Sequence, residues 1–342
     1  MASSNRRYVL AQRPETLPND SHFVVETLPM PSPDQGEVLV KTLLVALSPW
    51  QGQRLRDFRN YTTPFAIGEL IDCDVLGQVT DSRSPDIAVG SWVTGRLGWQ
   101  EYAVAGPQQL TVVTDEFSET AWLSALSSPG LTAYSAMNLY ARPMPGSTMV
   151  VTSAAGSVGS YAVQLGKLAG MRVIGIAGSD AKCERVLQQL GADAVVNYRS
   201  ADYTRLLASA CVDGVDLVFD TVGGAVTDAV FDNLNKYATV LIVGRTISNN
   251  SSRPDQDFVN MRQLWAREAS IQCFSRYSYP REWALAGTRM QELLRQGKLT
   301  TLDNVIDGFE RTPQALHDML AGQHTGKVMV RYGHPDQNLA TK

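Results

Sequence analysis

The chain has 342 residues, a formal net charge of −4, 44% hydrophobic and 19% charged residues, which is room for about two domains with full cores and the composition of a soluble globular protein. No lysine/arginine run marks a nucleic-acid surface, and no apolar run reaches the ~18 residues of a membrane span. The opening Met-Ala-Ser-Ser-Asn-Arg-Arg is not followed by the apolar segment of a signal peptide.

The first ~125 residues read as β-rich. Glu37–Leu47 is a long strand candidate, and Val75–Thr80, Ser91–Gly95 and Glu101–Val104 are shorter ones. Asp34-Gln35-Gly36 and Asp86–Gly90 read as turns, and the whole as a small irregular barrel. From about Ser118 the period becomes helical: Ala121–Leu126 and Thr132–Tyr140 are predicted helices, split by Ser128-Pro129-Gly130.

Strands and helices then alternate. Strands are predicted at Thr148–Thr152, Arg172–Ile176, Ala194–Val196, Val215–Asp220, Thr239–Val243 and Ser270–Phe274. Helices are predicted at Ser157–Ala169, Asp180–Leu190, Tyr203–Ala210 and Ala225–Leu234. Six strands in this alternation predict a doubly wound parallel sheet. Glu282–Gln296 is a further helix, Thr312-Pro313 starts another that Gly322 ends, and Lys327–Tyr332 is a last strand. Such a tail can return to the first domain. The expected division is residues 1–127 with 302–342, and residues 128–301.

The most informative stretch is Val150–Gly159. An apolar β-branched run stops at the small-residue turn Ala154-Ala155-Gly156-Ser157-Val158-Gly159, and an amphipathic stretch follows. Gly156 and Gly159 match the second and third glycines of the dinucleotide fingerprint, with Ala154 in place of the first. Without bulky side chains, the backbone N–H groups can approach a pyrophosphate at the positive end of a helix. An ordinary βα turn is the bland alternative; the second strand at Arg172–Ile176 completes a βαβ unit of roughly 30 residues and favours the nucleotide.

The next strand ends Ile176-Ala177-Gly178-Ser179, with no carboxylate to accept from a ribose 2′-hydroxyl. Lys182 and Arg199 follow, cations suited to a 2′-phosphate. NADP(H) is therefore expected over NAD(H). Tyr198 borders the adenine or phosphate, or is a half-buried strand-edge tyrosine.

Cys73, Cys183, Cys211 and Cys273 are far apart and form no C-x-x-C pair. A reduced, cytoplasmic setting fits better than a disulfide framework. His22, His317, His324 and His334 form no close pair with a cysteine or another histidine, so no metal site is expected.

Seven pieces in order resemble one family. They are Asn5–Leu10, Gly98-Trp99-Gln100-Glu101-Tyr102, Pro129-Gly130-Leu131-Thr132-Ala133-Tyr134, Ala154–Gly159, Gly175–Cys183, Phe219-Asp220-Thr221-Val222-Gly223-Gly224 and Gly326-Lys327-Val328. The chain resembles the zinc-independent branch of the medium-chain dehydrogenase/reductase superfamily, with its prostaglandin/leukotriene, curcumin and alkenal reductases. The resemblance implies a GroES-like β-barrel catalytic domain (1–127 and 302–342), a Rossmann domain (128–301), NADP(H) and a homodimer. It implies reduction of the C=C bond of an α,β-unsaturated ketone or aldehyde, by hydride addition to the β-carbon and through an enolate, without a metal.

Matched cofactor positions are Gly156, Ser157, Val158 and Gly159 at the pyrophosphate, and Ser179, Lys182 and Tyr198 around the 2′-phosphate. Thr221 stands where the family has Asn in its Phe-Asp-Asn-Val-Gly-Gly motif. Val243, Gly244, Arg245, Phe274 and Ser275 match contacts near the nicotinamide, and His324 stands in place of a late asparagine. The family's Asp-Pro-Tyr-Met-Arg is Ser48-Pro49-Trp50-Gln51-Gly52 here, and a tyrosine after the fifth strand aligns with Asn250. Three residues are candidates for the catalytic side. Trp50 walls the pocket or is a packing tryptophan. Tyr61 brings a hydroxyl or packs. Asn250 orients a water or binds the carbonyl, or caps its loop. Quinone reduction, and a non-catalytic NADP-binding protein, are the competing readings.

Overall fold

A computed structural model describes residues 4–57, 62–141, 143–246 and 258–336. They divide into two units, Met1–Leu123 with Asp303–Lys342, and Ser124–Leu302.

In the first unit, β1 (Ser4–Leu10) and β2 (Phe23–Pro29) form an antiparallel hairpin with Tyr8 opposite Val25. No strand is predicted from the sequence there, because β2 buries only Phe23 and shows little apolar alternation. β3 (Val38–Ala46) buries eight of its nine residues and is the long apolar run at Glu37–Leu47. α1 (Pro49–Arg54) follows; Ser48 caps it, and the Ser48 N–H donates to Gln51 Oε1 at 2.8 Å, so proline sits in the first turn where no N–H is needed. β4 (Asp74–Ser82), β5 (Trp92–Arg96), β6 (Tyr102–Ala105) and β7 (Leu110–Val113) complete its N-terminal part.

The helix expected at Ala121–Leu126 does not form. Ala121–Leu123, at the end of the first unit, is a single 3₁₀ turn, and Ser128-Pro129-Gly130 is not a break but the first turn of α2 (Ser128–Ala136). Proline is at home in a first turn. A Cβ at Gly130 would lie 2.1 Å from the Ala125 carbonyl oxygen, so glycine lets the helix start against the preceding loop. Then come β8 (Thr148–Val151), α3 (Gly159–Leu168), β9 (Arg172–Ala177), α4 (Asp180–Leu190) and β10 (Ala194–Asn197). α5 (Tyr203–Ala210), β11 (Val215–Asp220), α6 (Gly224–Phe231) and β12 (Leu234–Ile242) continue the alternation. α6 ends at Phe231 and β12 begins at Leu234, earlier than the expected Thr239, across a register shift opposite Val215/Leu217. α7 (Met261–Ala266), β13 (Ser270–Cys273) and α8 (Pro280–Arg295) close the unit.

Its six strands are all parallel, in the order β10-β9-β8-β11-β12-β13. This is the Rossmann arrangement, and the order reverses between β8 and β11. Apolar layers cover both faces. Met149, Val151 and Phe219 belong to one buried cluster, and Val150, Ile174 and Val218 to another. Two-sided burial is why these strands read as continuous apolar runs.

The chain then returns to the first unit with β14 (Asp303–Asp307), α9 (Thr312–Leu320) and β15 (Lys327–Arg331). β15 pairs antiparallel with β3, Met329 opposite Ala46. The resulting seven-stranded sheet runs β14-β15-β3-β4-β5-β7. β4 takes one edge of β3, while β6 at Val38–Lys41 and β15 at Leu44–Ala46 share the other, as in a GroES-like barrel.

Candidate active site

In the parallel unit, ligands are expected outside the carboxyl ends of the strands where the order reverses, beyond β8 and β11. The chain leaves β8 through Thr152, turns at Ser153 with φ 49° and enters α3 at Gly159. A left-handed serine is uncommon and marks a tightly constrained turn. A Cβ at Gly159 would lie 2.2 Å from the Ser153 carbonyl oxygen, and one at Gly156 would lie 2.6 Å from Ser153 Oγ. Glycine is thus required at Gly159, where the clash is with backbone, while at Gly156 the nearest atom is the end of a serine side chain. The Ser160 N–H donates to the Gly156 carbonyl at 3.0 Å, and the Tyr161 and Ala162 N–H groups donate to the Val158 carbonyl at 3.2 and 3.1 Å, so the start of α3 is tied into the turn itself. Ser157 and Val158 lie between the two glycines. Residues and geometry fit a pyrophosphate.

A second cluster sits past β9. Ser179 caps α4 and accepts from the Lys182 N–H at 3.3 Å. A Cβ at Gly178 would be 3.0 Å from Tyr198 Oη, so the phenol lies directly against that bend. The Arg199 guanidinium is 5.8 Å from the Tyr198 ring centre. Burial, and after it the charge of Arg199, lower the Lys182 pKa. Two cations are held near each other with a serine hydroxyl alongside, an arrangement that suits a phosphate. Asp180, the nearest carboxylate in sequence, accepts from Asn197 Nδ2 at 2.8 Å.

β11 ends in Asp220, fully buried. Its Oδ1 accepts from Thr152 Oγ1 (2.6 Å), Thr227 Oγ1 (2.8 Å) and the N–H groups of Val222 (3.0 Å) and Gly223 (3.2 Å). Its Oδ2 is buried with no hydrogen-bond partner among the described residues. The Thr221 N–H donates to Thr152 Oγ1 at 2.9 Å and its hydroxyl to the Thr152 carbonyl at 3.3 Å. Thr221 thereby ties β11 to β8. Val243 and Gly244 N–H both donate to the Asp220 carbonyl, at 2.8 and 3.3 Å, and Thr246 N–H to that of Thr221 at 3.0 Å. Arg245 lies over the Phe258 ring, 5.6 Å from its centre.

Sequence reasoning quoted the Asp220 motif but missed that Thr152 and Thr227 would complete its shell. Asp220→Ala would leave four donors without their acceptor, and a loss of at least about 3 kcal/mol in urea unfolding is expected.

At the sheet's far side, Phe274 is buried and stacks on Tyr279, ring centres 5.8 Å apart. Tyr279 in turn hydrogen-bonds Tyr140 through their hydroxyls. Ser275 is exposed next to it.

In the barrel unit, Trp50 is half-buried on α1. The Arg96 guanidinium lies 4.5 Å and that of Arg54 5.8 Å from its ring centre, within cation–π range. Asp72 links the two arginines, at 2.7 Å from Arg96 Nε and 3.1 Å from Arg54 Nη1. Buried Lys327 donates to the Leu47 carbonyl and to Ser48 Oγ, both at 2.7 Å, and fixes the start of α1. His324 is hydrogen-bonded through Nδ1 to Asn304 Nδ2 at 3.2 Å. Tyr61 and Asn250 lie outside the described residues. Among the described residues, no group of three or more His, Cys, Asp or Glu could hold a metal ion, and no helix is long and apolar enough to cross a membrane.

Two family models match: an N-terminal domain of oxidoreductase over residues 6–113, and a zinc-binding dehydrogenase over residues 157–292. The chain is 32% identical to the NADPH-dependent curcumin reductase of Escherichia coli (strain K12), over 97% of this chain and 98% of that one. It is 30% identical to prostaglandin reductase 1 of Oryctolagus cuniculus, over 91% and 88%. The crystal structure of CurA in complex with NADPH from Vibrio vulnificus is similar throughout, with a TM-score of 0.91 at 33% identity, covering 96% of this chain and 100% of that one. By sequence along nearly its whole length and by its fold, the chain belongs to the zinc-independent reductase branch of the medium-chain dehydrogenase/reductase superfamily and is an NADP-dependent oxidoreductase.

Proposed function

We propose that this protein reduces the C=C bond of an α,β-unsaturated ketone or aldehyde with NADPH. The unit Ser124–Leu302 is the cofactor-binding domain and the other unit the catalytic domain. The observation that carries the reading is the bare turn at Gly156–Gly159 together with the paired cations Lys182 and Arg199 beyond a strand end that has no carboxylate. Relatives named as curcumin and prostaglandin reductases support the reaction class.

Bound NADPH supplies the hydride for the β-carbon of the conjugated system. The residues divide the remaining work. Gly156, Ser157, Val158 and Gly159 hold the pyrophosphate against the start of α3. Ser179, Lys182 and Tyr198, with Arg199, hold the 2′-phosphate. Thr221, Val243, Gly244, Arg245, Phe274 and Ser275 border the nicotinamide half. Trp50 walls the substrate, held by Arg54, Arg96 and the Lys327–Ser48 link. Negative charge develops on the substrate carbonyl oxygen, and preorganised N–H or O–H donors lower the barrier there. Tyr61 and Asn250 are the candidates for that task or for positioning the water that protonates the α-carbon.

The test is a substrate panel. Conjugated enones and enals are expected to yield saturated carbonyl compounds with stoichiometric NADPH oxidation, and isolated alkenes none. Quinol formation with enones inert would favour quinone reduction. NADPH binding without turnover of any acceptor would favour a non-catalytic protein.

A homodimer belongs to the same reading. β13 is an outer strand of the parallel sheet, and Met261 and Trp265 on the helix before it are 52% and 81% exposed. An open sheet edge beside exposed apolar side chains favours association. Light scattering is expected to give twice the 37.3 kDa chain mass; a monomer at micromolar concentration would contradict this part. The unpaired cysteines agree with a cytoplasmic setting.

A further inference from the structure

Three neighbouring strands of the parallel sheet, β8, β11 and β12, release the chain into the glycine turn, the segment Thr221–Gly223 and the segment Val243–Arg245. All three segments are tied to one buried pair of side chains. The ladder between β8 and β11 ends with Val151 opposite Phe219. Thr152 and Asp220 are the next residue on each strand, and both are fully buried. Side-chain bonds take over where the ladder stops. The Thr152 hydroxyl donates to Asp220 Oδ1 at 2.6 Å and accepts from the Thr221 N–H at 2.9 Å. Asp220 carries the link onward. Its Oδ1 also accepts from the N–H groups of Val222 and Gly223 at the start of α6, and its carbonyl from those of Val243 and Gly244. Thr152 is followed directly by Ser153, the left-handed residue that opens the glycine turn.

The hydrogen bonds of the Asp220 carboxylate all go to one oxygen, and Oδ2 has no partner among the described residues. Burying a charge this way is expensive, and an apolar side chain of similar size would cost less. Stability alone does not account for the pair. A fixed geometry does. One hydroxyl that both donates and accepts, with Asp220 and Thr221 adjacent in sequence, leaves the ends of β8 and β11 a single relative position.

We propose that Thr152 is a positioning residue: through Asp220 and Thr221, its hydroxyl fixes the pyrophosphate turn at Gly156–Gly159 against the residues that border the nicotinamide, Thr221, Val243 and Gly244. This deepens the cofactor-site reading and rests on it. NADPH is a two-headed ligand, with its adenosine 2′-phosphate half and its nicotinamide half joined at the pyrophosphate. Different segments hold the two halves, and full affinity requires both to be engaged at once. Without the Thr152 hydroxyl each segment keeps its own backbone, but their mutual position is no longer set. The adenosine half then binds as before. The nicotinamide ring lies off its hydride-transfer pose, and a misplacement of about 1 Å costs up to about 100-fold in rate. The pair needs no contact with solvent or ligand to act, because it works through the backbone on either side of it.

Calorimetry with the full chain would compare NADPH with adenosine 2′,5′-bisphosphate, which carries the adenosine half alone. Thr152→Val keeps the bulk and removes the hydroxyl. It is expected to weaken NADPH about tenfold, to leave the bisphosphate within about twofold, and to slow single-turnover hydride transfer to an enone by about 10- to 100-fold. Thr152→Ser restores the donor and acceptor and should return all three to within about threefold of the wild type. Thr227→Val is the control. It takes another donor, 2.8 Å away, from the same Asp220 oxygen at a fully buried site on α6. The ratio of the two affinities should stay within about twofold there. Equal weakening of both ligands in Thr152→Val, weakening of neither, or a loss that Thr152→Ser does not repair overturns the inference. If Thr152→Val does not fold, hydrogen exchange on the wild type decides. The bisphosphate ends at the turn with its 5′-phosphate, yet it should slow exchange of the Thr221, Val222 and Gly223 amides by at least about threefold; unchanged exchange overturns the inference. NADPH affinity unchanged in Gly159→Ala would remove the turn from the cofactor site and the inference with it, whereas the other adverse results overturn the inference alone.

Discussion

Gly159→Ala is expected to weaken NADPH binding about a hundredfold or more, equivalent to ~3 kcal/mol. The added Cβ would lie 2.2 Å from the Ser153 carbonyl oxygen and 3.1 Å from the Ala154 Cα, both backbone atoms that cannot rotate away. Either the turn opens or α3 moves off the end of β8, and in both cases the N–H groups lose their aim at the pyrophosphate. Gly287→Ala is the control. Gly287 lies inside α8 with nothing within 4 Å of its Cβ direction, so alanine there should stabilise the helix by about 0.5–1 kcal/mol and leave cofactor binding alone. Calorimetric titration of the two variants with NADPH, with circular dichroism to follow folding, separates a specific loss at the turn from a general intolerance of alanine. Unchanged NADPH affinity in Gly159→Ala would remove the turn from the cofactor site.

Lys182→Ala is expected to weaken NADPH by about 10- to 100-fold while leaving NADH within about threefold, since a charge-assisted hydrogen bond to phosphate is worth roughly 1.5–3 kcal/mol. The ammonium is half-buried, and burial together with the charge of Arg199 lowers its pKa. A 2′-phosphate relieves that repulsion, and a 2′-hydroxyl does not. The wild-type preference for NADPH should also fall as ionic strength rises. Equal weakening of both cofactors would point to a general helix defect in α4 and away from phosphate recognition.

Much of the parallel unit was legible because its strands are apolar on both faces, and its helices carry clear stops such as Gly191, which ends α4 at φ 73°. The β1–β2 hairpin was not, because β2 (Phe-Val-Val-Glu-Thr-Leu-Pro) shows no apolar–polar alternation and leaves both its valines exposed. Ser128-Pro129-Gly130 misled in the other direction. Residues that break a helix interior here open one, and the packing of Gly130 on Ala125, which decides this, is invisible in sequence.

The site divides the same way. The glycine turn and Lys182 are local patterns, and spacing alone exposes them. The Asp220 shell is not local: Thr152 arrives from β8, 68 residues earlier, and only the pairing of β11 with β8 brings it within 2.6 Å. Trp50 likewise meets Arg96 across 46 positions of sequence because α1 and β5 fold together in the barrel unit.

The most direct measurement of the central claim is the fate of the label when the purified chain reduces an enone with NADPH deuterated at C4 on the transferred face. The account predicts a saturated ketone with one deuterium on the β-carbon and none on the α-carbon. Deuterium on the carbonyl carbon of an allylic alcohol, or consumption of the labelled cofactor without a new C–D bond in the product, would contradict it.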